Sequence, residues 1–578
     1  MNLNDLYAAA ADLLAAKIDL PAAEIRAALV QPPQPEMGDL GFPCFTLAKK
    51  LRAAPPKIAA DLAAQISASE LFAKIAAVGG YVNFTISPAA LGEIAVKAAL
   101  AADWGASSAG NGKTVVIDFS SPNIAKPLAV HHIRSTMLGA ALARLYATTG
   151  WRVVTINHLG DWGTNFGQLM VAYTRAKNSG ETPATDLGAQ LKLYLEFHQA
   201  AETNSVLEEE ARAWFKKLED GDAETVKMWK IFVDESVKGL QKLYDRLNVK
   251  FDHYTGESFF NDKMAATQRR LQESGLLVKS DGALVVELQD VGIDAPCLIQ
   301  KTDGATTYAT RDLAAAEYRR REYNFDKCLY VVANQQELHF RQIFAILKKM
   351  GYAWADGCEH VKFGMLSFAA GVFGEERATG STRKGQIIFL DDVLARAVEK
   401  AREIIDANGR DDEVKNNAGR LAEQVGVGAV IFSEFMQRRQ KDVLFSWDKA
   451  LNMQGDSGPY LQYTHARLSS LIAKSGVAVG GGDAQLLTSA LSRAVLLTLA
   501  EFPRVLLGAT AENEPSRVAE YLLELCAVFN RLYADKKEHQ IITADAARTA
   551  ARIDLVAAVR NTLRRGLAVL GIAAPEKM

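Results

Sequence analysis

The sequence has few cysteines, and none of them are spaced as metal ligands. Five of the 578 residues are cysteines, at positions 44, 297, 328, 358 and 526. An odd, scattered set without a CxxC pair argues against a disulfide framework and against a thiolate zinc site. We therefore expect a protein of the reducing cytoplasm without structural zinc.

Long apolar runs and a basic leader are also lacking. A membrane-spanning helix needs about 20 apolar residues, and no run of 18 occurs. Residues 1–20 carry Asp5 and Asp12 and no basic region ahead of their apolar residues. They predict an amphipathic helix and not a signal peptide, and we expect no membrane contact.

Charge of one sign does not dominate either. The 66 Lys and Arg residues balance 68 Asp and Glu residues, so the formal net charge is −2. Hydrophobic residues make up 49% and charged residues 23%, which excludes a fibrous or disordered chain. Contact with a nucleic acid would need local patches. Three small basic clusters, 319–321, 438–441 and 564–565, are expected to be solvated faces.

Common catalytic signatures are absent as well. The sequence contains no HExxH zinc pattern and no GxSxG nucleophile turn. Residues 112–114 (GKT) resemble the end of a phosphate-binding P-loop, but Ser107 stands where its first glycine belongs. They also precede a predicted strand, whereas a P-loop lysine opens a helix.

The spacing of apolar residues and turns predicts an α/β protein of three domains. Residues 1–110 predict a small α+β domain, with a strand around 82–86. Residues 111–400 alternate strands and helices, which predicts a Rossmann-type parallel sheet interrupted by a mainly helical insertion at about 165–300. Residues 401–578 predict an all-α bundle, since apolar residues recur there at helical spacing.

Basic side chains follow the first predicted strand of the central domain. The strand TVVIDF (114–119) runs directly into SSPNIAKPLAVHHIRSTMLG. Ligands bind at the carboxyl edge of an open parallel sheet, and the next helix aims its first amides into that crevice. Lys126, His131, His132 and Arg134 therefore predict a site for an anionic ligand such as a nucleoside triphosphate. A surface loop with satisfied histidines is the alternative.

A second basic segment lies far along the chain. The stretch RATGSTRKGQIIFLDD (377–392) contains Arg383 and Lys384 between glycines. Such loops can close on phosphates and stabilise charge that develops in nucleotidyl transfer. Taken alone, a basic loop is usually just solvated.

Together the two segments resemble the HIGH and KMSKS signatures of class I aminoacyl-tRNA synthetases. Three further stretches narrow the resemblance to the arginyl-tRNA synthetase family: NHLGDWGTNFG (157–167), TTYATRDLAAAEYR (306–319) and ANQQELHFRQ (333–342). GDSGPYLQYTHARLSS (455–470) extends the resemblance into the C-terminal half. The resemblance implies that the protein binds ATP with Mg²⁺, arginine and tRNA(Arg). It also implies a monomer in which the activation of arginine generally needs tRNA.

The resemblance also implies roles for individual residues. Carboxylates at the matching positions should accept the planar guanidinium of arginine. The implied arginine site consists of Asp118, Asn123, Tyr308, Asp312 and Gln336. The implied ATP site consists of Lys126, His131, His132, His339, Ser381 and Lys384, with Lys126, His132, Arg383 and Lys384 as catalytic residues. The implied tRNA contacts are Tyr81, Asn83, Tyr460, Tyr463 and Arg467. No residue is expected to bind a metal.

Two departures from the family signatures leave alternatives open. Ala129 replaces the first histidine of HIGH, and His131 replaces its glycine, where a side chain should obstruct adenine. His131 either turns away, supplies the missing imidazole, or sits on a shifted backbone. In the second signature Gly380 and Thr382 are atypical, and Lys126 is expected to compensate. A non-catalytic tRNA-binding paralogue and a cysteinyl enzyme are the rival hypotheses.

Overall fold

The structure, a computed structural model, describes residues 1–369, 372, 388–408 and 412–578. Its N-terminal part is a three-stranded antiparallel sheet with strand order β1–β3–β2, covered by helices. The elements are α1 (Leu3–Ala15), α2 (Ala22–Ala28), β1 (Leu40–Pro43), α3 (Ala48–Leu51), α4 (Pro55–Ala64), β2 (Phe72–Val78) and β3 (Tyr81–Ile86). Asn2 caps α1, and Gly79 supplies the positive φ of the turn between β2 and β3. This confirms the predicted α+β unit.

A short helical segment and a coil join this unit to the central domain. They contain α5 (Pro88–Gly92), a π-helical turn (Glu93–Lys97) and α6 (Ala98–Leu100). Trp104 in the coil is buried, stacks near Phe502 and donates to the Thr562 hydroxyl at 2.9 Å. Residues 104–113 therefore form no helix or strand, but they are anchored to the C-terminal helices.

The central domain contains a parallel sheet of five strands in the order β11–β10–β4–β5–β6. Its elements are β4 (Thr114–Asp118), α7 (His132–Thr148), β5 (Arg152–Asn157), α8 (Thr164–Asn178), α9 (Leu187–Ala201), α10 (Val206–Glu219), α11 (Ala223–Arg246), β6 (His253–Tyr254), α12 (Met264–Glu273), β7 (Leu277–Ser280), β8 (Ala283–Val286), β9 (Cys297–Gln300), α13 (Tyr308–Tyr323), β10 (Lys327–Tyr330), α14 (Glu337–Lys349), β11 (Cys358–His360) and β12 (Leu366–Phe368). The predicted Rossmann-type sheet is confirmed.

The region predicted as an insertion has two parts. Helices α8 to α11 come first, and an antiparallel sheet of β7, β8 and β9 comes later. Between them β6 returns to the parallel sheet beside β5. The sequence did not reveal β6, because a strand of two residues is too short to show a pattern. Strand β12 also lies outside the central sheet.

The C-terminal part is almost entirely helical. Its elements are α15 (Leu390–Asn408), α16 (Asp412–Asn416), α17 (Ala418–Ser433), β13 (Val443–Phe445), α18 (Trp447–Ala450), α19 (Gly458–Ser475), α20 (Ala490–Ala511), α21 (Ser516–Ala534) and α22 (Ala546–Leu570). Strand β13 pairs in parallel with β12. Leu522, Leu525 and Phe529 on α21 are fully buried, as the helical spacing of apolar residues in this region predicts.

Helix α20 meets the length and composition of a membrane span, which the sequence had not suggested. It is the one helix in the described part of the chain that does so. Val495, Leu499 and Phe502 are nevertheless buried against neighbouring elements. Core helices of globular domains have the same composition, so the match is weak evidence for a span.

Candidate active site

The order of the strands creates a crevice at the carboxyl edge of the sheet. From β4 the chain proceeds to β5 and β6 on one side, and it later adds β10 and β11 on the other. Asp118 ends β4 directly opposite Tyr330, which ends β10. The chain continues from β4 to β5 on one side and from β10 to β11 on the other, and ligands of open α/β sheets bind at such a switch point.

The loop that leaves β4 has an unusual backbone. Ser120, Ser121 and Ala125 have φ angles of 68°, 43° and 72°, which non-glycine residues rarely adopt. Each such residue costs about 1–3 kcal/mol and persists only where its surroundings hold it. Helix α11 provides that support: Tyr244 shares a 2.8 Å hydrogen bond with the Ser120 hydroxyl, and Ser236 accepts from the Ala125 amide at 3.3 Å. The insertion therefore shapes the loop.

Residues 129–132, which replace the HIGH signature, are held in place by backbone hydrogen bonds. The amide of Val130 donates to the carbonyl of Ile388, which lies within the second basic segment (377–392), at 2.9 Å. His131 has φ −65° and ψ −19°, an ordinary right-handed conformation that does not require glycine. Its side chain is exposed, and its ring lies 4.2 Å from that of His132. Of the alternatives, the structure favours a His131 that turns outward on an undistorted backbone.

His132, the first residue of α7, is held in one tautomer. Its Nδ1 lies 3.0 Å from the carbonyl oxygen of Ala129, which can only accept, so Nδ1 carries the proton. Burial, aided by the nearby His131 and Lys126, lowers the pKa of His132 to about 4. The ring is therefore neutral near pH 7, and Nε2 carries a lone pair.

Lys126 and Asn123 lie in the loop before these histidines. The Lys126 ammonium sits 5.7 Å from the ring centroid of Tyr194 on α9. Asn123 is exposed and pairs with Gly160 in an isolated parallel bridge. A Cβ at Gly160 would lie 2.0 Å from the Asn123 side-chain oxygen, so this close approach requires glycine.

The first turns of α13 and α14 form a cluster of three predicted residues. Asp312 lies one turn beyond Tyr308, and His339 approaches from α14. Nε2 of His339 is 2.6 Å from Oδ2 of Asp312, and the Tyr308 ring lies 4.7 Å from the His339 ring. Tyr308 is 63% exposed, whereas His339 is buried beneath it. Gln336 is exposed just before α14.

The charge of Asp312 is stabilised by its neighbours. Burial pushes the pKa of Asp312 upward, but the hydrogen bond from His339 and nearby positive charges outweigh burial and hold this pKa below its ordinary value. Among the residues that the structure describes, Oδ1 of Asp312 accepts no hydrogen bond. The cluster thus presents a carboxylate oxygen and an exposed aromatic ring, a combination that suits a guanidinium.

Asp118 has a different environment. Its Oδ2 lies 2.7 Å from Nη2 of Arg319, and its Oδ1 accepts from the Ser121 hydroxyl at 2.7 Å. Both carboxylate oxygens are therefore already used within the chain. The expectation that the 319–321 cluster is solvated was wrong for Arg319, which is 1% exposed.

Several residues near the crevice were missed as site residues. His158 follows β5, stacks on Phe260 at 5.5 Å and lies within electrostatic reach of Asp118 and Asp312. Burial lowers the pKa of His158, and its Nδ1 is buried without a partner among the described residues. The position of His158 at the carboxyl end of a strand could have identified it from the sequence as a site residue. No comparable sequence feature marked Glu257, which pairs with Arg311 at 3.3 Å.

Ser381, Arg383 and Lys384 lie outside the described residues. Among those described, one group of three potential metal-ligating side chains occurs, Asp535, Glu538 and His539 in the C-terminal bundle. Both ring nitrogens of His539 already contact protein groups, Asp535 and Ser489.

The residues implied in tRNA contact lie in two places. Tyr81 begins β3, and its ring meets that of the exposed Phe45 at 5.3 Å. Asn83 is 4% exposed, and its Oδ1 has no partner among the described residues. A buried carbonyl oxygen without a donor is unfavourable unless a ligand supplies one.

The other three lie on α19. Tyr463 is exposed, and Tyr460 accepts a 2.7 Å hydrogen bond from the Asn530 amide. Arg467 also donates to Asn530, and its guanidinium lies 4.9 Å from the Tyr533 ring centroid. The three side chains thus belong to one face built by α19 and α21.

Three family models match the chain. The model described as "tRNA synthetases class I (R), catalytic domain" matches residues 95–447. The "DALR anticodon binding domain" matches residues 461–578, and the "Arginyl tRNA synthetase N terminal domain" matches residues 4–86. The parallel sheet, the loop after β4 and the helical C-terminal domain thus define a class I aminoacyl-tRNA synthetase.

Relatives that span the whole chain narrow this class. The chain is 43% identical to the arginine–tRNA ligase of Alkaliphilus metalliredigens over 95% of both chains, and 43% identical to that of Clostridioides difficile over 100% of both. The Thermus thermophilus arginyl-tRNA synthetase has a similar structure, with a TM-score of 0.80 and 25% identity over 100% of this chain and 99% of that one. The chain belongs to the arginyl-tRNA synthetase family. The predicted resemblance is confirmed, and the non-catalytic alternative is not favoured.

Proposed function

We propose that the crevice between β4 and β10 is where this arginine–tRNA ligase carries out both steps of its reaction. The arginine carboxylate attacks the α-phosphate of ATP, pyrophosphate leaves, and arginyl-adenylate forms. A hydroxyl of the 3′-terminal adenosine of tRNA(Arg) then takes the arginyl group and releases AMP. Positioning and charge stabilisation dominate such chemistry. The proposal rests on one observation: an anion-favouring helix start and a carboxylate–aromatic cluster face the same sheet edge.

The arginine side chain would bind at the start of α13. Oδ1 of Asp312 accepts from the guanidinium while His339 holds Oδ2, and the exposed Tyr308 ring covers the planar group. Asn123 and Gln336 contribute further hydrogen bonds from the two neighbouring loops. Asp118 acts differently: because Arg319 already occupies it, it supports the pocket wall.

The triphosphate would lie along the loop after β4, with Mg²⁺ arriving bound to ATP. Lys126 and His132 contact the phosphates, and His131 and His339 border the nucleotide. A neutral His132 whose Nδ1 is committed to Ala129 cannot donate from Nε2, so it must take up a proton to bind a phosphate. Ser381, Arg383 and Lys384 complete the phosphate site.

The tRNA would contact both ends of the chain. Tyr81 offers an aromatic edge to an unstacked base, and the buried Oδ1 of Asn83 would have to become accessible to accept from one. Tyr460, Tyr463 and Arg467 offer a ring-rich face for anticodon bases. We propose domains at 1–110, 111–400 and 401–578, a monomer, a cytoplasmic location supported by the free thiols, and no zinc.

Pyrophosphate exchange tests the function. The chain is assayed with each amino acid, with and without total tRNA, and exchange is expected with arginine when tRNA is present. Exchange with another amino acid would contradict the substrate. Measurable tRNA binding without any exchange would support the paralogue hypothesis and direct attention to Ala129 and His131.

A further inference from the structure

The connection between α20 and α21 is unusually buried for a turn. Asn513 is 1% exposed with φ +52°, and the adjacent Glu514 is also buried. Connecting segments normally run over the surface, and a left-handed asparagine is unfavourable without support. A buried, strained turn that carries a carboxylate is therefore held by specific partners.

Those partners lie outside the matched anticodon-binding domain. The Tyr146 hydroxyl on α7 donates to Oδ1 of Asn513 at 2.8 Å, and Nε of Arg439 donates to the carbonyl oxygen of Asn513 at 3.0 Å. The amide of Arg439 also donates to both carboxylate oxygens of Glu514, at 3.1 and 3.3 Å. Asn513 and Glu514 lie within the matched anticodon-binding domain, whereas Tyr146 and Arg439 lie within the matched catalytic domain.

Arg439 also reaches the active-site helix. Its carbonyl oxygen accepts from Nη2 of Arg134 at 2.9 Å, and Arg134 pairs with Glu434 at 3.3 Å, both fully buried. Arg134 lies two residues after His132 on α7. Nη1 of Arg439 donates to the carbonyl of Lys362 at 2.7 Å, next to the loop that leads towards β12. The cluster 438–441 was expected to be solvated, and Arg439 overturns that expectation because it is buried.

The turn therefore contacts α7 directly at Tyr146 and indirectly, through Arg439, at Arg134. Tyr146 lies near the C-terminal end of the helix and Arg134 near its N-terminal end, where His132 begins it. A close-packed core and a rigid helix transmit small displacements, and fully satisfied buried polar networks tend to act as units.

We propose that the α20–α21 turn couples the anticodon-binding domain to the phosphate-binding end of α7, with Arg439 as the positioning residue. This rests on the proposed function. Occupancy of the anticodon domain shifts the turn, the turn sets the position of α7, and α7 sets His132 against the triphosphate. Arg439 does not touch substrate; it acts through Arg134 and Tyr146.

The test uses Arg439→Lys in the full-length chain. Lysine keeps the positive charge and both backbone contacts but cannot span the Asn513 and Lys362 carbonyls as the guanidinium fork does. The matched control is Arg438→Lys, which changes the neighbouring, largely exposed arginine that pairs with Glu512. Activation per titrated active site is measured by arginine-dependent pyrophosphate exchange. The exchange reaction is stimulated either by whole tRNA(Arg) or by an acceptor-arm minihelix that lacks the anticodon arm.

In the unmodified chain and in Arg438→Lys, whole tRNA should stimulate exchange more than the minihelix. In Arg439→Lys the kcat with whole tRNA should fall about tenfold, with the Kd for tRNA within about twofold, so the two stimulations become similar. A purely structural role would lower the melting temperature and the active fraction but leave kcat per site and the stimulation ratio unchanged, and that result would overturn the inference.

Tyr146→Phe provides a second, gentler variant should Arg439→Lys not fold. It removes the hydroxyl that donates to Asn513 and accepts from Lys327 at 3.4 Å, and the stimulation ratio should fall about threefold. An unchanged ratio in this variant counts against the coupling. No arginine-dependent exchange in the unmodified chain would overturn the proposed function itself, whereas equal stimulation by both RNAs in a fully active chain would overturn the coupling alone.

Discussion

Two carboxylates at the crevice, those of Asp118 and Asp312, have different hydrogen-bond environments. Asp118, at the end of β4, has both oxygens occupied by Arg319 and Ser121. Asp312, at the start of α13, has one oxygen held by His339, and its other oxygen accepts no hydrogen bond from the residues that the structure describes. Both were expected to contact the arginine substrate. The difference suggests that Asp118 belongs to the framework of the pocket and Asp312 to its ligand-binding surface.

The sharpest test of this contrast is Asp312→Asn. The amide keeps the shape but leaves a guanidinium without a counter-charge, which costs about 4 kcal/mol in a buried pair. The kcat/KM for arginine in exchange should fall about 1,000-fold with the KM for ATP nearly unchanged. Asp303→Asn, in the exposed turn after β9, is the control and should behave as the parent. Near-normal activation by Asp312→Asn would remove Asp312 from the arginine site.

Asp118→Asn should damage stability more than substrate binding. It strands the buried Arg319 guanidinium, and an unpaired buried charge costs about 3 kcal/mol or more. Urea unfolding should show the loss, and the double variant Asp118→Asn/Arg319→Met should recover most of it, since no stranded charge remains. A stable Asp118→Asn protein with a greatly raised KM for arginine would instead place Asp118 in contact with the substrate.

A smaller effect, on the pH dependence of stability, is expected for His132 on the phosphate-binding side of the crevice. The folded-state pKa of His132 is about 4, below the ordinary value of 6.5, so the unfolded chain binds more protons between these values. Stability should therefore fall as pH drops from 6.5 towards 4. Urea unfolding should show that the free energy of unfolding falls between pH 6.5 and 4, and that this fall is smaller in His132→Gln by about 1–2 kcal/mol. Partial exposure of His132 keeps the difference below its full value. An identical fall in both proteins would contradict the assigned tautomer and burial.

The smallest effect is expected for His131→Gly. The backbone at 131 is right-handed and the imidazole faces solvent, so glycine removes only the contact with the His132 ring. Glycine is also well tolerated at a helix N-cap, at a cost of a few tenths of a kcal/mol. The KM for ATP should change less than about threefold. A collapse of exchange activity would show that His131 supplies the imidazole missing at Ala129.

Local patterns carried a large part of the site. The helical spacing of Tyr308 and Asp312 placed them on one face of α13, and the strand ending at Asp118 predicted the carboxyl edge, because both depend only on short-range geometry. His339 was assigned to the ATP site, and the structure puts it beneath Tyr308. The contact between His339 and Asp312 joins α14 to α13 through two residues that lie 27 positions apart in the chain. No local sequence pattern encodes such a contact.

The sequence by itself determined the fold class, the three-part organisation and the chemistry available at the crevice, since periodicity and motif spacing are properties of contiguous residues. Tertiary structure decided which charges face water. Arg319 and Arg439 sit in clusters that look like solvated faces, yet both are buried because distant elements bring Asp118 and Asn513 to them. The exposure of a charged side chain depends on what packs against it, and that is settled only when remote segments meet.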